Sequence, residues 1–113
     1  MLIEAIVGHL VGDYLLQNDW MALNKKKKLY ICVIHALIWT TCVFLFSAMS
    51  IGWIGLLILF GTHVLQDHTL IVQYYMTLIG QQTFMKNLYP WAGIVVDNVW
   101  HIVTIFAVIK LGL

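Results

Sequence analysis

An apolar run of twenty residues, from Leu29 to Ala48, constrains the fold of this chain more than any other feature. A helix of about 20 apolar residues crosses the hydrocarbon core of a bilayer. Lipid offers the backbone no hydrogen-bond partner, so such a span must be helical. Three further apolar stretches are present, at about Leu2–Gln17, from Ile51 through the His63–His68 region to about Ile79, and at Trp91–Leu113. The sequence therefore predicts an all-α, polytopic membrane helix bundle with about four transmembrane helices.

The overall composition agrees with lipid as the solvent. The chain is 62% hydrophobic and only 10% charged, whereas soluble domains carry about 25% charged residues. Its 113 residues fit a single integral-membrane domain, residues 1–113. A net charge of +1 without any arginine leaves no electrostatic footprint for nucleic acid.

Most of the lysines lie in one connection between apolar stretches. Lys25–Lys28 form a continuous run, and only Lys86 and Lys110 lie elsewhere. Because cytoplasmic loops of membrane proteins carry the excess of Lys and Arg, we expect the Lys25–Lys28 loop to be cytoplasmic. The same lysines are expected to contact anionic membrane lipids.

Ionisable side chains recur inside the apolar stretches at helical spacing. Each costs at least about 2.5–3.5 kcal/mol at the centre of a membrane helix, so some partner must offset them. Three pairs are four residues apart, namely His9 with Asp13, His63 with Asp67, and Asp97 with His101. Side chains at i and i+4 share one helix face. The second stretch adds a lone histidine, His35.

The order within these pairs reverses in the fourth stretch, where the aspartate precedes the histidine. With four alternating spans, the first and third run inward and the fourth runs outward. Every aspartate then lies nearer the cytoplasm, with its histidine one turn deeper. We therefore expect the pairs and His35 to share one layer of the inner leaflet.

Metal ligation is the chemistry that suits this set of side chains. Imidazole nitrogen and carboxylate oxygen bind zinc, iron and manganese, and a divalent ion offsets the carboxylate charges. We expect one or two divalent ions per chain, zinc first and manganese or iron as alternatives. The predicted ligands are His9, Asp13, His35, His63, Asp67, Asp97 and His101. We predict catalytic roles for Asp13 and Asp67 as general bases and for Gln17 as an oxyanion donor, with His68 left open between ligand and interface.

Three other readings of the same residues remain open. They can form a neutral hydrogen-bonded network that specifies helix packing, or a path for protons or ions, as intramembrane carboxylates and imidazoles do in pumps. They can also stabilise a structural or interaction module through a metal. Because 113 residues enclose little cavity on their own, a homo-oligomer is compatible with each reading.

The segment from His9 to Lys25, HLVGDYLLQNDWMALNK, resembles small bacterial and phage membrane proteins of the domain-of-unknown-function family 3307. The likeness continues through His35-Ala36, His63-x-x-x-Asp67 and Asp97-Asn98-x-x-His101, and it covers nearly the whole chain. It implies a multi-pass protein of the bacterial inner (cytoplasmic) membrane in which these positions occur together, but it implies no activity.

A looser likeness, carried by Thr62-His63, is to predicted membrane-bound metal-dependent hydrolases, and it is analogy at the level of the fold. On these grounds the first functional expectation is a metal-dependent hydrolase acting on a lipid or lipid-linked substrate at the cytoplasmic face. The alternatives are an ion, proton or metal transporter or channel subunit, and a metal-stabilised module, of phage origin in one version.

Overall fold

The computed structural model describes all residues from Met1 to Leu113 and consists of helices joined by short connections. The seven α-helices are α1 Leu2–Leu10, α2 Asp19–Asn24, α3 Leu29–Phe46, α4 Trp53–His68, α5 Ile71–Leu78, α6 Gln82–Asn87 and α7 Trp91–Lys110. A π-helical turn, Val11–Leu15, continues α1 directly. The predicted all-α class is confirmed.

Four helices form the bundle, in which α1 packs on α3, α3 on α4, α4 on α7, and α7 back on α1. Two glycines bring α1 and its π turn close to α3. A Cβ atom at Gly8 would lie 2.7 Å from the backbone oxygen of Cys42, and one at Gly12 would lie 3.0 Å from the Cα of Trp39. The Gly8-x-x-x-Gly12 spacing therefore serves close helix approach.

Two helices, α3 and α7, are long and apolar enough to cross a membrane. A third span is present if α4 and α5, which meet at a bend of 77°, are counted together. We expected about four spans, and two to three helices or helix pairs meet this criterion of length and hydropathy. The first apolar stretch is shorter than expected because its helix, with the π turn included, ends at Leu15. The apolar helices indicate a membrane protein.

The lysine connection is fixed to one end of the bundle. Asn18 caps α2, because its side-chain oxygen accepts from the backbone nitrogen of Met21 at 2.9 Å. Lys26 Nζ donates to the backbone oxygens of Asp67 and Thr69, at 3.2 and 3.0 Å, at the end of α4. A cation is favourable at a helix C-terminus. The lysines therefore lie at the end of the bundle where α4 finishes.

The other half of the bundle has an apolar core. Seven buried side chains form it: Ala5, Trp39, Val43, Ile51, Leu59, Ile105 and Val108. All but Ile51, which precedes α4, lie in the halves of α1, α3, α4 and α7 that are remote from the lysine connection. The bundle is therefore divided along its length into an apolar half and the half that holds the His/Asp pairs.

Candidate metal centre

The His/Asp pairs meet in the interior of the bundle, in the half next to the lysine connection. Each bundle element supplies at least one member: Asp13 from the π turn, His35 from α3, His63 and Asp67 from α4, and Asp97 and His101 from α7. The histidines His35, His63 and His101 are at most 1% exposed, and Asp67 is 2% exposed. The pairs therefore converge at one height in the bundle, as the reversed order in the fourth stretch predicted.

A first group of four side chains has the spacing of a ligand set. One nitrogen or oxygen from each of Asp13, His35, His63 and Asp67 lies within 4.8 Å of the others. His35 Nε2 is 3.0 Å from Asp13 Oδ1 and 3.2 Å from Asp67 Oδ2. His63 Nε2 is 3.0 Å from Asp67 Oδ2 and 3.6 Å from Asp13 Oδ1. Tetrahedral zinc with bonds of about 2.0–2.1 Å separates its ligand atoms by about 3.3 Å, so the residues fit such an ion.

A second group shares one carboxylate with the first. It consists of Asp67, Asp97 and His101. His101 Nε2 is 3.4 Å from Asp67 Oδ1 and 3.2 Å from Asp97 Oδ2. The two oxygens of Asp67 thus face different groups, so this one carboxylate could serve both.

Several histidine nitrogens in this centre lack hydrogen bonds, although His35 Nε2 is hydrogen-bonded to Asp13 Oδ1 at 3.0 Å. Neither ring nitrogen of His63 has a hydrogen-bond partner, although the side chain is fully buried, and His101 Nε2 also has none. Buried polar atoms are nearly always paired. Both Nε2 atoms lie near carboxylate oxygens but are not aligned to donate to them. Nitrogen and oxygen atoms this close together could hold a metal ion.

The structure places His9 outside both groups. Trp39 Nε1 donates to His9 Nδ1 at 2.9 Å, so the other ring nitrogen carries the proton and donates to Asn98 Oδ1. Both nitrogens of His9 are therefore engaged. Its Nδ1 is also 3.5 Å from Asp13 Oδ2, and the ring packs beside the centre. His9 is therefore not a member of either ligand group, and it contacts the centre beside Asp13.

Lys25 reaches into the centre, which the sequence did not predict. Its Nζ donates to Asp67 Oδ2 at 3.0 Å and to Gln17 Oε1 at 2.9 Å. Burial disfavours the charged form, but the Asp67 carboxylate outweighs it and raises the pKa of Lys25 above its ordinary value. Lys25 therefore supplies an ammonium group beside the ligand groups.

The remaining sequence-predicted residues lie around the centre. Gln17 links two site elements, because its amide nitrogen donates to the backbone oxygen of Asp13 at 3.2 Å while its oxygen accepts from Lys25. His68 lies outside both groups, and its Nδ1 donates to the backbone oxygen of Lys25 at 2.9 Å. His68 therefore secures the lysine connection.

The carboxylates of the centre outnumber its ammonium groups. Three carboxylates, those of Asp13, Asp67 and Asp97, face one ammonium, that of Lys25. With neutral imidazoles, two negative charges remain in largely buried surroundings, where an unpaired charge is costly. Two protonated imidazoles, or one divalent cation, would carry the charge that cancels them.

The centre is open on one side. A cavity of about 250 Å³ is lined by Asp13, Gln17, Lys25, Asp97 and Asn98, among others. Two of the aspartates are partly exposed there, with 12% of the Asp13 and 24% of the Asp97 side chain accessible. A small molecule can therefore approach the carboxylates from outside the bundle.

Sequence reasoning missed three residues that contact the site: Lys25, Trp39 and Asn98. Asn98 had a usable signal, because it follows Asp97 on a helix that already carries a site pair. Lys25 and Trp39 had none, since their partners Asp67 and His9 are 42 and 30 residues away.

Comparison with known proteins identifies a family but no activity. No curated protein and no solved structure matches the chain, so the likeness to metal-dependent hydrolases gains no support from them. One family matches residues 1–112, and its description is "Protein of unknown function (DUF3307)". The chain, with its buried His/Asp centre, belongs to that family over nearly its whole length.

Proposed function

We propose that this protein binds divalent metal in the bundle and uses it to hydrolyse a lipid or lipid-linked substrate. One ion would bind at Asp13, His35, His63 and Asp67, and a second at Asp67, Asp97 and His101, with Asp67 shared. The single observation that carries the proposal is the convergence of ligand atoms within 4.8 Å around a histidine, His63, that has no hydrogen bond.

The donor set favours zinc. Two imidazole nitrogens and two carboxylate oxygens make a four-coordinate group of the kind that zinc accepts. Manganese and iron take the same donors with additional ligands. The paired carboxylates in the second group suit either of these as well, so the two positions need not hold the same element.

Hydrolysis is supported by the access to the centre. A divalent ion with an open coordination position lowers the pKa of water and makes it a nucleophile at neutral pH. Asp13 lines the 250 Å³ cavity and is the better candidate for general base, because Asp67 is held by the Lys25 ammonium. The Asp13 carboxylate would take a proton from water as the water oxygen adds to the ester carbon or phosphorus. The ester C–O or P–O bond would then break, and the alcohol would leave with the proton that Asp13 returns.

An ion path along a single chain has less support. The polar centre occupies one half of the bundle, and the other half is closed by the apolar core around Trp39, Leu59 and Ile105. A path for ions would need polar groups or water along its full length. The lysine connection lies at the same end as the centre, and the positive-inside rule therefore supports a cytoplasmic substrate side for this proposal.

The test is metal analysis of the protein purified in detergent without a histidine tag. We expect one to two equivalents of metal in the parent chain and a loss of at least one equivalent in His63→Gln. His68→Gln is the matched control, because His68 lies outside both groups, and its metal content should not change.

A folded parent protein without stoichiometric metal would overturn the proposal. So would a His63→Gln variant that keeps all its metal. Release of an alcohol from lipid esters in vesicles of bacterial lipid composition then tests the hydrolase. If the metal-loaded protein releases no alcohol, and Asp13→Asn does not change the amount released, the hydrolase proposal is contradicted. A metal-stabilised module is then the remaining function.

A further inference from the structure

A second cavity, of about 630 Å³, adjoins the candidate metal centre on the side of α5, α6 and α7. At one end it is lined by Asp67 and Asp97, which belong to the proposed metal groups, and by Lys25. Its other walls are largely apolar and include Met76 and Ile94. The cavity therefore joins a polar end, next to the metal groups, to an apolar chamber.

Lys25 gives the polar end an unused donor. An ammonium group has three N–H donors, and Lys25 uses two of them, on Asp67 and Gln17. Lys26, which also lines the cavity, contacts backbone oxygens at the end of α4. A ligand oxygen beside Lys25 would receive a charge-assisted hydrogen bond.

With metal bound at the proposed centre, the carboxylate charges are offset and the polar end attracts anions. A phosphate ester suits it best, because its oxygens can contact both a divalent ion and the Lys25 ammonium at once. A hydrocarbon chain attached to that phosphate would lie along the apolar walls, where its burial is favourable.

We infer that this cavity binds a lipid phosphate, meaning a phosphate ester on an apolar chain, with the phosphate at Lys25 and the chain beside Met76 and Ile94. The inference rests on the proposed metal centre and names the substrate class of that site. Gly93 offers a position from which the chamber can be filled by substitution. It lines the cavity, and a Cβ atom there would meet only Gln73 Nε2, at 3.9 Å. A larger side chain at Gly93 would therefore fill the cavity without a backbone clash.

The experiment is calorimetric titration of the metal-loaded protein in detergent with three soluble probes: hexyl phosphate, inorganic phosphate and hexanoate. We expect hexyl phosphate to bind at least about tenfold more tightly than inorganic phosphate, because only the former fills the apolar chamber. Hexyl phosphate should also bind more tightly than hexanoate, because a carboxylate has two oxygens for the metal and Lys25 whereas the phosphate group has three. The order separates a lipid phosphate from free phosphate and from a fatty acid.

Two pairs of variants locate the ligand. Lys25→Gln should weaken hexyl phosphate binding about tenfold or more, whereas Lys27→Gln, an exposed lysine of the same run, should not. Gly93→Leu should remove the advantage of the hexyl chain and leave the metal content unchanged. Gly61→Leu is its control, because a Cβ at Gly61 meets nothing within 4 Å and lies outside the cavity.

The two proposals fail in different ways. A folded protein without stoichiometric metal contradicts both. Metal-loaded protein that binds hexyl phosphate no better than inorganic phosphate or hexanoate contradicts the lipid-phosphate inference alone. Equal losses in Lys25→Gln and Lys27→Gln, or in Gly93→Leu and Gly61→Leu, place the ligand outside this cavity and contradict it as well.

Discussion

Asp67→Asn is the substitution that tests the centre most severely, because Asp67 is the one residue that belongs to both ligand groups. The side chain is 2% exposed. One oxygen lies 3.0 Å from Lys25 Nζ and 3.0 Å from His63 Nε2, while the other faces His101. The amide keeps the shape of the carboxylate but removes its charge, so packing is preserved and electrostatics change.

The expected cost follows from the ion pair that is broken. Removal of one partner from a buried pair leaves an uncompensated charge and costs about 3–5 kcal/mol. The Lys25 side chain is 18% exposed and keeps its hydrogen bond to Gln17, so we expect the lower end, about 3 kcal/mol. The double variant Asp67→Asn/Lys25→Met removes both charges and should recover about 2 kcal/mol of that loss.

The assay is the free energy of unfolding in detergent, from far-UV circular dichroism during SDS titration, on metal-free protein. Metal content is measured on the same samples, and Lys27→Met, an exposed lysine, serves as the control. We expect both Asp67 variants to lose metal, although only the single variant is strongly destabilised. Additivity of the two substitutions within about 0.5 kcal/mol would show that Lys25 and Asp67 do not interact, and full metal content in Asp67→Asn would reject the shared ligand.

Three further predictions concern packing, the position of His9 and the metal. Gly8→Val should destabilise the bundle by about 1–3 kcal/mol, because its Cβ would lie 2.7 Å from a backbone oxygen of α3; the same unfolding assay should find Gly61→Val close to neutral. Trp39→Phe removes the donor to His9 Nδ1 and should cost about 1–3 kcal/mol, against little change for the exposed Trp53→Phe, and equal effects would contradict a structural role for that hydrogen bond. Removal of metal by a chelator should lower the unfolding midpoint by the equivalent of about 2.7 kcal/mol if metal was present at 100 times its dissociation constant; an unchanged midpoint would show that no ion stabilises the fold.

The apolar stretches and the i, i+4 pairs were readable from the sequence because both are local properties of a helix. A twenty-residue apolar run and a His four residues from an Asp have the same consequence in any helical context. The direction of each helix then followed from connectivity, which is why the reversed order at Asp97 and His101 predicted a common height. The number of spans was less readable, since the end of the first helix at Leu15 and the 77° bend between α4 and α5 depend on packing around them.

Contacts between distant parts of the chain required the folded bundle. Three such contacts join residues that are far apart in the sequence. The two oxygens of Asp67 face different groups, and Lys25 forms an ion pair with Asp67. His9 forms hydrogen bonds with Trp39 and Asn98. Their geometry depends on how α2 folds the lysine connection over the end of α4 and how closely α1 approaches α3. Periodicity along one helix carries no information about such distances, so it could place the donors on the right faces but could not say which of them share a cation.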